Sequence, residues 1–156
     1  MTGNQRAAQL VIRRFVTTDA QVAEEIAKKS PEAAQWSRAT YQELEHQPKH
    51  LAWVAEAGGE VCGFLVAVVV SGEAEILNLA VHPIHRREGF AHALLTQACD
   101  EFQRLRVDSV FLEVRESNFA ATRLYEKRGF VRAGERKQYY REPNEGAVLM
   151  IRKLTV

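Results

Sequence analysis

The chain has 156 residues, of which 46% are hydrophobic and 26% are charged, and its formal net charge is +1. This length allows one domain with its own core, and we expect one domain over residues 1–156. The balanced charge provides no general attraction to nucleic acid or to an anionic membrane, so we expect neither as a partner. The longest apolar run, 61–70, is too short to cross a bilayer, and the first residues lack the apolar stretch of a signal peptide. A cytoplasmic protein is therefore predicted.

The first forty residues predict one strand and up to three helices. Residues 10–16 (LVIRRFV) have the composition of a strand. Thr18, with a glutamine three residues later, predicts a capped helix start. Ser30 and Pro31 predict the start of a second helix, as N-cap and first helical residue. A third, short helix is predicted to begin at Ser37.

Residues 50–81 predict three consecutive antiparallel strands. The glycine-containing pairs at 58–59 and 71–72 are typical of hairpin turns between such strands. The last strand, 73–81, alternates in polarity, and we expect Leu77, Leu79 and Val81 to lie on one face of it.

The second half of the chain alternates between helix and strand patterns. Apolar residues at helical spacing predict a helix over 89–105. A short apolar stretch, 110–114, predicts a strand buried on both faces. Asn118 or Ser117 caps a further helix that stops at Gly129, and strands over 131–140 and 147–154 follow. The strand 73–81, the helix and the strand 110–114 form a βαβ unit with a parallel crossover, so we predict a mixed α/β sheet.

The loop between strand 73–81 and the next helix has the features of a phosphate site. Backbone N–H groups at a helix start lack partners, and the helix dipole adds positive charge there. Gly89 lets a ligand approach the backbone, Ala91 is small, and Arg86 and Arg87 can neutralise a doubly charged anion. The loop is neither a Walker loop nor a dinucleotide fingerprint. The alternative is a basic surface turn before an ordinary core helix.

Three histidines, His82, His85 and His92, lie in or beside this loop. No carboxylate or thiolate is in register with them, so we expect no metal site.

The stretch RREGFA at 86–91 resembles the R/Q-x-x-G-x-G/A signature of the GNAT N-acetyltransferase superfamily. The stretches LEVRESN (112–118) and LYEKRGF (124–130), with the later YY pair, resemble its bacterial RimI branch. Members of that branch acetylate the N-terminal alanine of a small-subunit ribosomal protein. The resemblance covers about residues 10–154. It implies an α/β GNAT fold: a mixed, mostly antiparallel sheet of about seven strands, about four flanking helices, and a splay between strands four and five.

The resemblance implies acetyl-CoA as co-substrate. In the family, the backbone of strand four holds the acetyl and pantetheine end, the loop binds the pyrophosphate, and an asparagine contacts the pantetheine arm. The matching residues here are, in that order, Leu79, Ala80 and Val81; Arg87, Glu88, Gly89, Phe90, Ala91 and His92, with Arg86 adding charge beside them; and Asn118.

The resemblance also implies a catalytic pair, with Glu113 as general base and Tyr125 as general acid. From the residues alone, Glu113 could instead form a salt bridge with Arg115 or Arg128. Tyr125 could instead be a core tyrosine whose hydroxyl meets a backbone carbonyl. The mechanism that follows is direct attack by the amine in a ternary complex.

The acceptor cleft is predicted to involve aromatic residues on the first helices and the last hairpin. Trp36 and Tyr41 could line it or simply pack on the sheet. Tyr139 and Tyr140 are adjacent, so in a regular strand they face opposite sides, and we expect Tyr140 to line the cleft.

Three functions remain open from the sequence. The favoured one is protein N-terminal acetylation of the RimI type. The second is acetylation of a small amine such as a polyamine, an amino acid or an antibiotic. The third is a non-catalytic acyl-CoA-binding regulatory module, which the presence of both Glu113 and Tyr125 disfavours.

Overall fold

The computed structural model describes residues 9–141 and 144–154, so both ends of the predicted domain lie outside the described residues. It contains a seven-stranded sheet in the order β1-β2-β3-β4-β5-β7-β6. The strands are β1 (Leu10–Arg14), β2 (His50–Ala57), β3 (Glu60–Val70), β4 (Glu73–Val81), β5 (Ser109–Arg115), β6 (Val131–Arg141) and β7 (Asn144–Lys153). Within the described part of the chain, β4 and β5 pair in parallel and the other neighbours are antiparallel. The predicted fold class is confirmed.

Four α-helices flank the sheet in the described residues. They are α1 (Ala20–Lys28), α2 (Arg38–Glu43), α3 (Phe90–Arg104) and α4 (Phe119–Lys127), with 3₁₀ turns at Thr17–Asp19, Leu44–His46 and Pro83–His85. The predicted short helix after Ser37 is confirmed, since the Ser37 hydroxyl accepts a hydrogen bond from the Thr40 N–H. Asn118 caps α4 as predicted.

Two predictions for the first helices are wrong. Thr18 does not cap a helix: the carboxylate of Asp19 accepts from the Val16 N–H at 2.8 Å, and Arg13 holds that carboxylate in an ion pair. No helix begins at Ser30: the segment 29–37 between α1 and α2 consists of turns and irregular chain. Backbone groups in that segment are bonded to a side chain of the sheet, which competes with helical bonding.

The two faces of the sheet bury separate clusters because strand side chains alternate. Along β2, Trp53 and Ala55 pack on the side of α3, whereas Ala52 and Val54 pack on the side of α1 and α2. The same alternation along β3 completes both clusters. Tyr125 belongs to the α3 cluster, which places the buried face of α4 on that side.

The strand β5 is less buried than its apolar sequence predicts. Val110, Leu112 and Val114 are buried, whereas Phe111 and Glu113 on the other face are partly exposed. Burial on both faces is therefore a wrong prediction, because that second face of β5 stays open at the Phe111 and Glu113 positions.

A β-bulge interrupts β4 at Leu77. On β3, Val66 pairs with Asn78 and Ala67 pairs with Ile76, so Leu77 is an extra residue. Leu77 packs with the α1–α2 cluster, whereas Leu79 and Val81 pack with the α3 cluster. The expectation that these three residues share one face is wrong, since the bulge shifts the alternation by one residue.

Candidate active site

The sheet opens between β4 and β5 directly after the bulge. Their parallel pairing runs from Glu73–Ser109 to Ile76–Leu112. Beyond it, residues 78–81 remain paired with β3, and residues 113–115 remain paired with β7. The two parallel strands therefore present unshared backbone edges to each other across an opening.

Glu113 is the first residue of β5 beyond the last pair, at the start of this opening. Its side chain is 16% exposed, and Arg136 Nε lies 3.2 Å from its carboxylate. The Tyr139 hydroxyl is hydrogen-bonded to the same carboxylate, and the nearby negative charge raises the pKa of Tyr139. The salt-bridge alternative holds, but its predicted partners are wrong: Arg136 takes the place expected for Arg115 or Arg128.

On the facing strand, Leu79, Ala80 and Val81 pair with Leu65, Phe64 and Gly63 of β3. A Cβ added to Gly63 would lie 2.9 Å from the Ala80 carbonyl oxygen, so glycine is needed for this close approach. The other edge of these three residues faces the opening. Backbone groups of successive strand residues point to alternate edges, and the His82 N–H bonds to the Cys62 carbonyl of β3, so the groups of Leu79 and Val81 point into the opening and fit an extended, amide-containing chain such as pantetheine.

The start of α3 fits the pyrophosphate. The helix begins after Gly89, whose φ is +87°, and none of the described residues caps it with a side chain. The first helical bond runs from the Ala93 N–H to the Gly89 carbonyl. By helix geometry the N–H groups of Phe90, Ala91 and His92 then have no helical acceptor. A Cβ added at Gly89 would meet nothing within 4 Å, so the approach to these groups is open.

The charged loop residues have different surroundings. Arg87 is exposed and has a φ of +66°. Arg86 donates to the Ser30 hydroxyl at 3.1 Å and lies 4.0 Å from Glu32, which directs it toward the α1–α2 side. Glu88 contacts His85 at 3.1 Å. The loop cation best placed for an anion is therefore Arg87, and a pyrophosphate role for Arg86 stays a prediction.

The histidines of the loop are hydrogen-bonded to other groups of the protein. The His82 Nδ1 accepts from the Ile84 N–H at 3.2 Å, and Arg128 Nε donates to His92 Nδ1 at 3.1 Å. Burial, and then the neighbouring cation, lower the pKa of both histidines. Among the described residues, no three histidine, cysteine or acidic side chains form a group that could hold a metal ion.

The remaining predicted cofactor and catalytic residues lie on α4. The Asn118 Oδ1 accepts from the Ala121 N–H at 3.2 Å, so its cap role fixes the side chain at the helix start. Tyr125 is 7% exposed, and its ring meets Phe130 edge-on at 5.6 Å between centroids. Burial raises the pKa of Tyr125, so the phenol is protonated at neutral pH.

The aromatic residues of the predicted acceptor side divide into core and rim. Tyr41 is fully buried, and Trp36 is half-buried with its ring 5.4 Å from that of Tyr41. The rings of Tyr139 and Tyr140 are in edge contact at 5.1 Å, so the expectation that they face opposite sides is wrong. The irregular pairing of β6 between Arg136 and Tyr140 explains this, because it breaks the alternation.

Sequence reasoning missed the contacts made by Arg136 and Tyr139 on Glu113. Both partners lie on β6, far from Glu113 in the chain, and their approach depends on strand order and on the irregular register of β6. The YY pair indicated that this hairpin is functional. Nothing in the sequence indicated Arg136.

Comparisons with known proteins agree with this geometry. The model of the acetyltransferase (GNAT) family matches residues 20–130. The chain is 35% identical over 141 residues to the [ribosomal protein bS18]-alanine N-acetyltransferase of Escherichia coli K12, covering 89% of this chain and 94% of that one. It is 33% identical over 110 residues to the putative enzyme of that name in Bacillus subtilis, covering 70% of this chain and 73% of the other.

Solved structures show the same architecture. The crystal structure of the Escherichia coli ribosomal-protein-S18-alanine N-acetyltransferase superposes with a TM-score of 0.86 at 32% identity, covering 95% of this chain and 96% of that one. Ard1 from Thermoplasma volcanium superposes with a TM-score of 0.85 at 30% identity, covering 94% and 99%.

No helix in the described residues is long and apolar enough to span a membrane. The opened strand edges, the uncapped start of α3 and the matched family model agree on one assignment. The chain belongs to the acetyltransferase (GNAT) family and is an acetyl-CoA-dependent N-acetyltransferase.

Proposed function

We propose that the protein acetylates the N-terminal amine of a protein, with the N-terminal alanine of a small-subunit ribosomal protein as its acceptor. The Escherichia coli enzyme that the chain matches over most of its length, in sequence and in structure, carries the name of that activity. The observation that carries the proposal is the position of Glu113, a carboxylate at the point where β4 and β5 separate. A cytoplasmic location and one functional domain over residues 1–156 belong to the same proposal.

The chemistry requires an unprotonated amine. An α-amino group has a pKa of about 7.7–8, so removing its proton at neutral pH requires only a small free energy from the base. We assign that role to Glu113, which accepts the amine proton directly or through water. Acetyl-CoA supplies the activated acetyl thioester when bound. Tyr125 gives its proton to the sulfur that leaves, and the buried phenol is protonated for that step.

Binding of acetyl-CoA is assigned to the backbone of β4 and to the loop before α3. The free edge of Leu79, Ala80 and Val81 holds the acetyl and pantetheine end, and Asn118 contacts the same arm. The N–H groups of Gly89 to His92 hold the pyrophosphate, with Arg87 as its counter-charge. The remaining loop assignments, Arg86 and Glu88, are backbone or charge contributions to the same phosphate site.

The acceptor is assigned to the side where α1–α2 and the β6–β7 hairpin meet the opening. Tyr140 is half-buried, and the Arg115 guanidinium lies over its ring at 4.0 Å, which limits the motion of the phenol. Trp36 is the second aromatic candidate, on the segment between α1 and α2. The fully buried Tyr41 lies beneath the segment 29–37, which we call the acceptor wall.

A panel of acceptors tests the proposal. Acetyl-CoA turnover is measured with peptides of ribosomal sequence beginning with Ala, with the same peptides beginning with other residues, and with polyamines, amino acids and aminoglycosides. We expect turnover on Ala-starting peptides and on few others. Turnover confined to small amines overturns the proposal, and binding of acetyl-CoA with no turnover on any acceptor indicates a regulatory module.

A further inference from the structure

A buried polar side chain, Asn78, lies in the opened half of β4. It follows the bulge at Leu77 and is 5% exposed. An amide in the interior destabilises the fold unless its hydrogen bonds are made inside the protein. Its partners therefore show what the residue is for.

Asn78 forms hydrogen bonds with both the N–H and the carbonyl of Ala34. Its Nδ2 donates to the Ala34 carbonyl at 3.0 Å, and its Oδ1 accepts from the Ala34 N–H at 3.2 Å. The same Nδ2 donates to the Tyr41 hydroxyl at 3.4 Å. The side-chain amide thus pairs with the N–H and the carbonyl of one residue, as a residue of a neighbouring strand would.

Ala34 lies in the segment 29–37 between α1 and α2, which has no regular secondary structure. The segment carries Trp36 and is held by further contacts: the Gln35 amide donates to the Ala27 carbonyl at 2.7 Å, Arg86 donates to the Ser30 hydroxyl, and Lys29 Nζ lies 3.3 Å from the His82 Nε2 that follows β4. The contact from Asn78 joins the segment by hydrogen bonds to a residue within β4 itself.

The position of this contact relates it to the reaction. One and three residues after Asn78, Leu79 and Val81 direct their backbone groups to the free edge assigned to the acetyl end. The segment 29–37 lies over the same strand on the α1–α2 side, where the acceptor is assigned. If the segment 29–37 is hydrogen-bonded to β4, its distance from the acetyl group on that strand is fixed. Without these bonds, the segment would have to be ordered each time an acceptor binds.

We propose that Asn78 is a positioning residue that fixes the acceptor wall by holding Ala34 against β4, and that it thereby sets the affinity for the acceptor peptide. This inference rests on the proposed function. It assigns Asn78 no contact with either substrate.

The first test is Asn78→Ala, assayed below its unfolding temperature with an Ala-starting peptide that the wild type acetylates. We expect the KM for the peptide to rise by about tenfold or more, because two buried hydrogen bonds to the wall are lost. The Kd for acetyl-CoA should stay within about twofold, since the α3 start and residues 79–81 keep their contacts. Tyr41→Phe is the comparison: it removes the third partner of Asn78 but keeps both bonds to Ala34, so it should raise the peptide KM much less than Asn78→Ala does.

The second test needs no variant. Amide hydrogen exchange on the wild type should show the Ala34 N–H protected at least about tenfold relative to an unstructured peptide, although it lies outside any helix or strand. An unprotected Ala34 amide overturns the inference, even if Asn78→Ala does not fold.

Two outcomes separate this inference from the proposed function. Failure of the wild type to acetylate any N-terminal peptide defeats the proposed function. Wild-type turnover with an unchanged peptide KM in Asn78→Ala, or with equal losses in peptide and acetyl-CoA binding, overturns the positioning role alone.

Discussion

Ile76 and Leu112 form the last pair between β4 and β5, and the next residue of β5 is Glu113. The carboxylate is therefore placed by strand pairing, with little dependence on loops. Its second restraint is the ion pair with Arg136, whose Nε lies 3.2 Å away. A base held by strand pairing and by two partners on β6, Arg136 and the Tyr139 hydroxyl, has a defined direction, which is what proton abstraction from a bound amine needs.

Replacing the carboxylate tests the base. We expect Glu113→Gln to lower kcat by about 10²-fold or more near pH 7, the range typical of general-base loss, with the acetyl-CoA Kd retained. The deficit should shrink above pH 8, because more of the acceptor amine is then already unprotonated. Initial rates from pH 6 to 9 measure this.

Glu126→Gln is the control for Glu113→Gln, since it removes the same charge from an exposed position on α4. It should leave kcat unchanged at every pH. A Glu113→Gln profile that follows the wild type across the whole range excludes Glu113 as the base.

The phosphate site is tested at Gly89. Ala at a φ of +87° costs about 1–2 kcal/mol in backbone strain and places a methyl group in the approach to α3. We expect Gly89→Ala to weaken acetyl-CoA binding by about tenfold or more, measured by calorimetry.

Gly59→Ala provides a matched control for strain. Gly59 has a φ of +81° and, like Gly89, would place its Cβ at least 4 Å from any neighbour, but it lies in the β2–β3 turn. Both variants should lose similar stability, and only Gly89→Ala should lose cofactor affinity. Equal acetyl-CoA Kd values for the two variants would show that the start of α3 does not bind the pyrophosphate.

Charge at the same site is tested by Arg87→Gln. We expect the acetyl-CoA Kd to rise by about three- to tenfold at low ionic strength, and the difference from wild type to shrink as salt screens the interaction. Arg106→Gln is the control, because Arg106 is also an exposed arginine with positive φ, at +59°, but follows the other end of α3. A salt-independent loss, or the same loss in both variants, contradicts the assignment.

The buried tyrosines predict an alkaline limit to stability. Burial raises the pKa of Tyr41 from 10.0 to about 12, although the hydrogen bond with Asn78 acts in the opposite direction. A pKa that is higher in the folded state stabilises the protein fully below pH 10, and that stabilisation is lost as the pH rises through 12. The free energy of unfolding, from urea titrations at pH 9 to 12, should therefore fall over this interval.

Tyr41→Phe should show a smaller fall over the same pH interval, because one of the late-titrating phenols is gone. Tyr139→Phe is the comparison, since Tyr139 is 48% exposed and should alter the slope less. A wild-type stability that is constant from pH 10 to 12 contradicts the prediction.

The sequence predicts those parts of the fold and site that depend on neighbouring residues. Gly89 and the helix after it are recognisable because turn geometry, helix start and apolar spacing are local properties. Glu113 is recognisable as a lone carboxylate in an apolar stretch. Assigning the base and acid roles to Glu113 and Tyr125 required the family resemblance, because the residues alone left both open.

Other features depend on contacts between distant parts of the chain. Arg136 reaches Glu113 because β7 inserts between β5 and β6 in a register that strand pattern alone does not determine. Ser30 and Pro31 have the chemistry of a helix start, yet the partner of that segment is Asn78, more than forty residues away. The same applies to Arg86, whose contact with Ser30 joins two loops that are separate in sequence.

Because Leu77 is an extra residue, the side chains of β4 alternate in one phase before it and in the opposite phase after it. Before it, Ala74 and Ile76 face α3; after it, Ala80 faces the α1–α2 side. Deleting Leu77 would restore a regular strand, but the alternation of every later residue of β4 would reverse, so Asn78 would turn toward α3 and the backbone groups of Leu79 and Val81 would turn away from the opening. A one-residue gap at this position in a related sequence is therefore a sign that both the acceptor side and the free edge of β4 differ, even where the loop motif at 86–91 is intact.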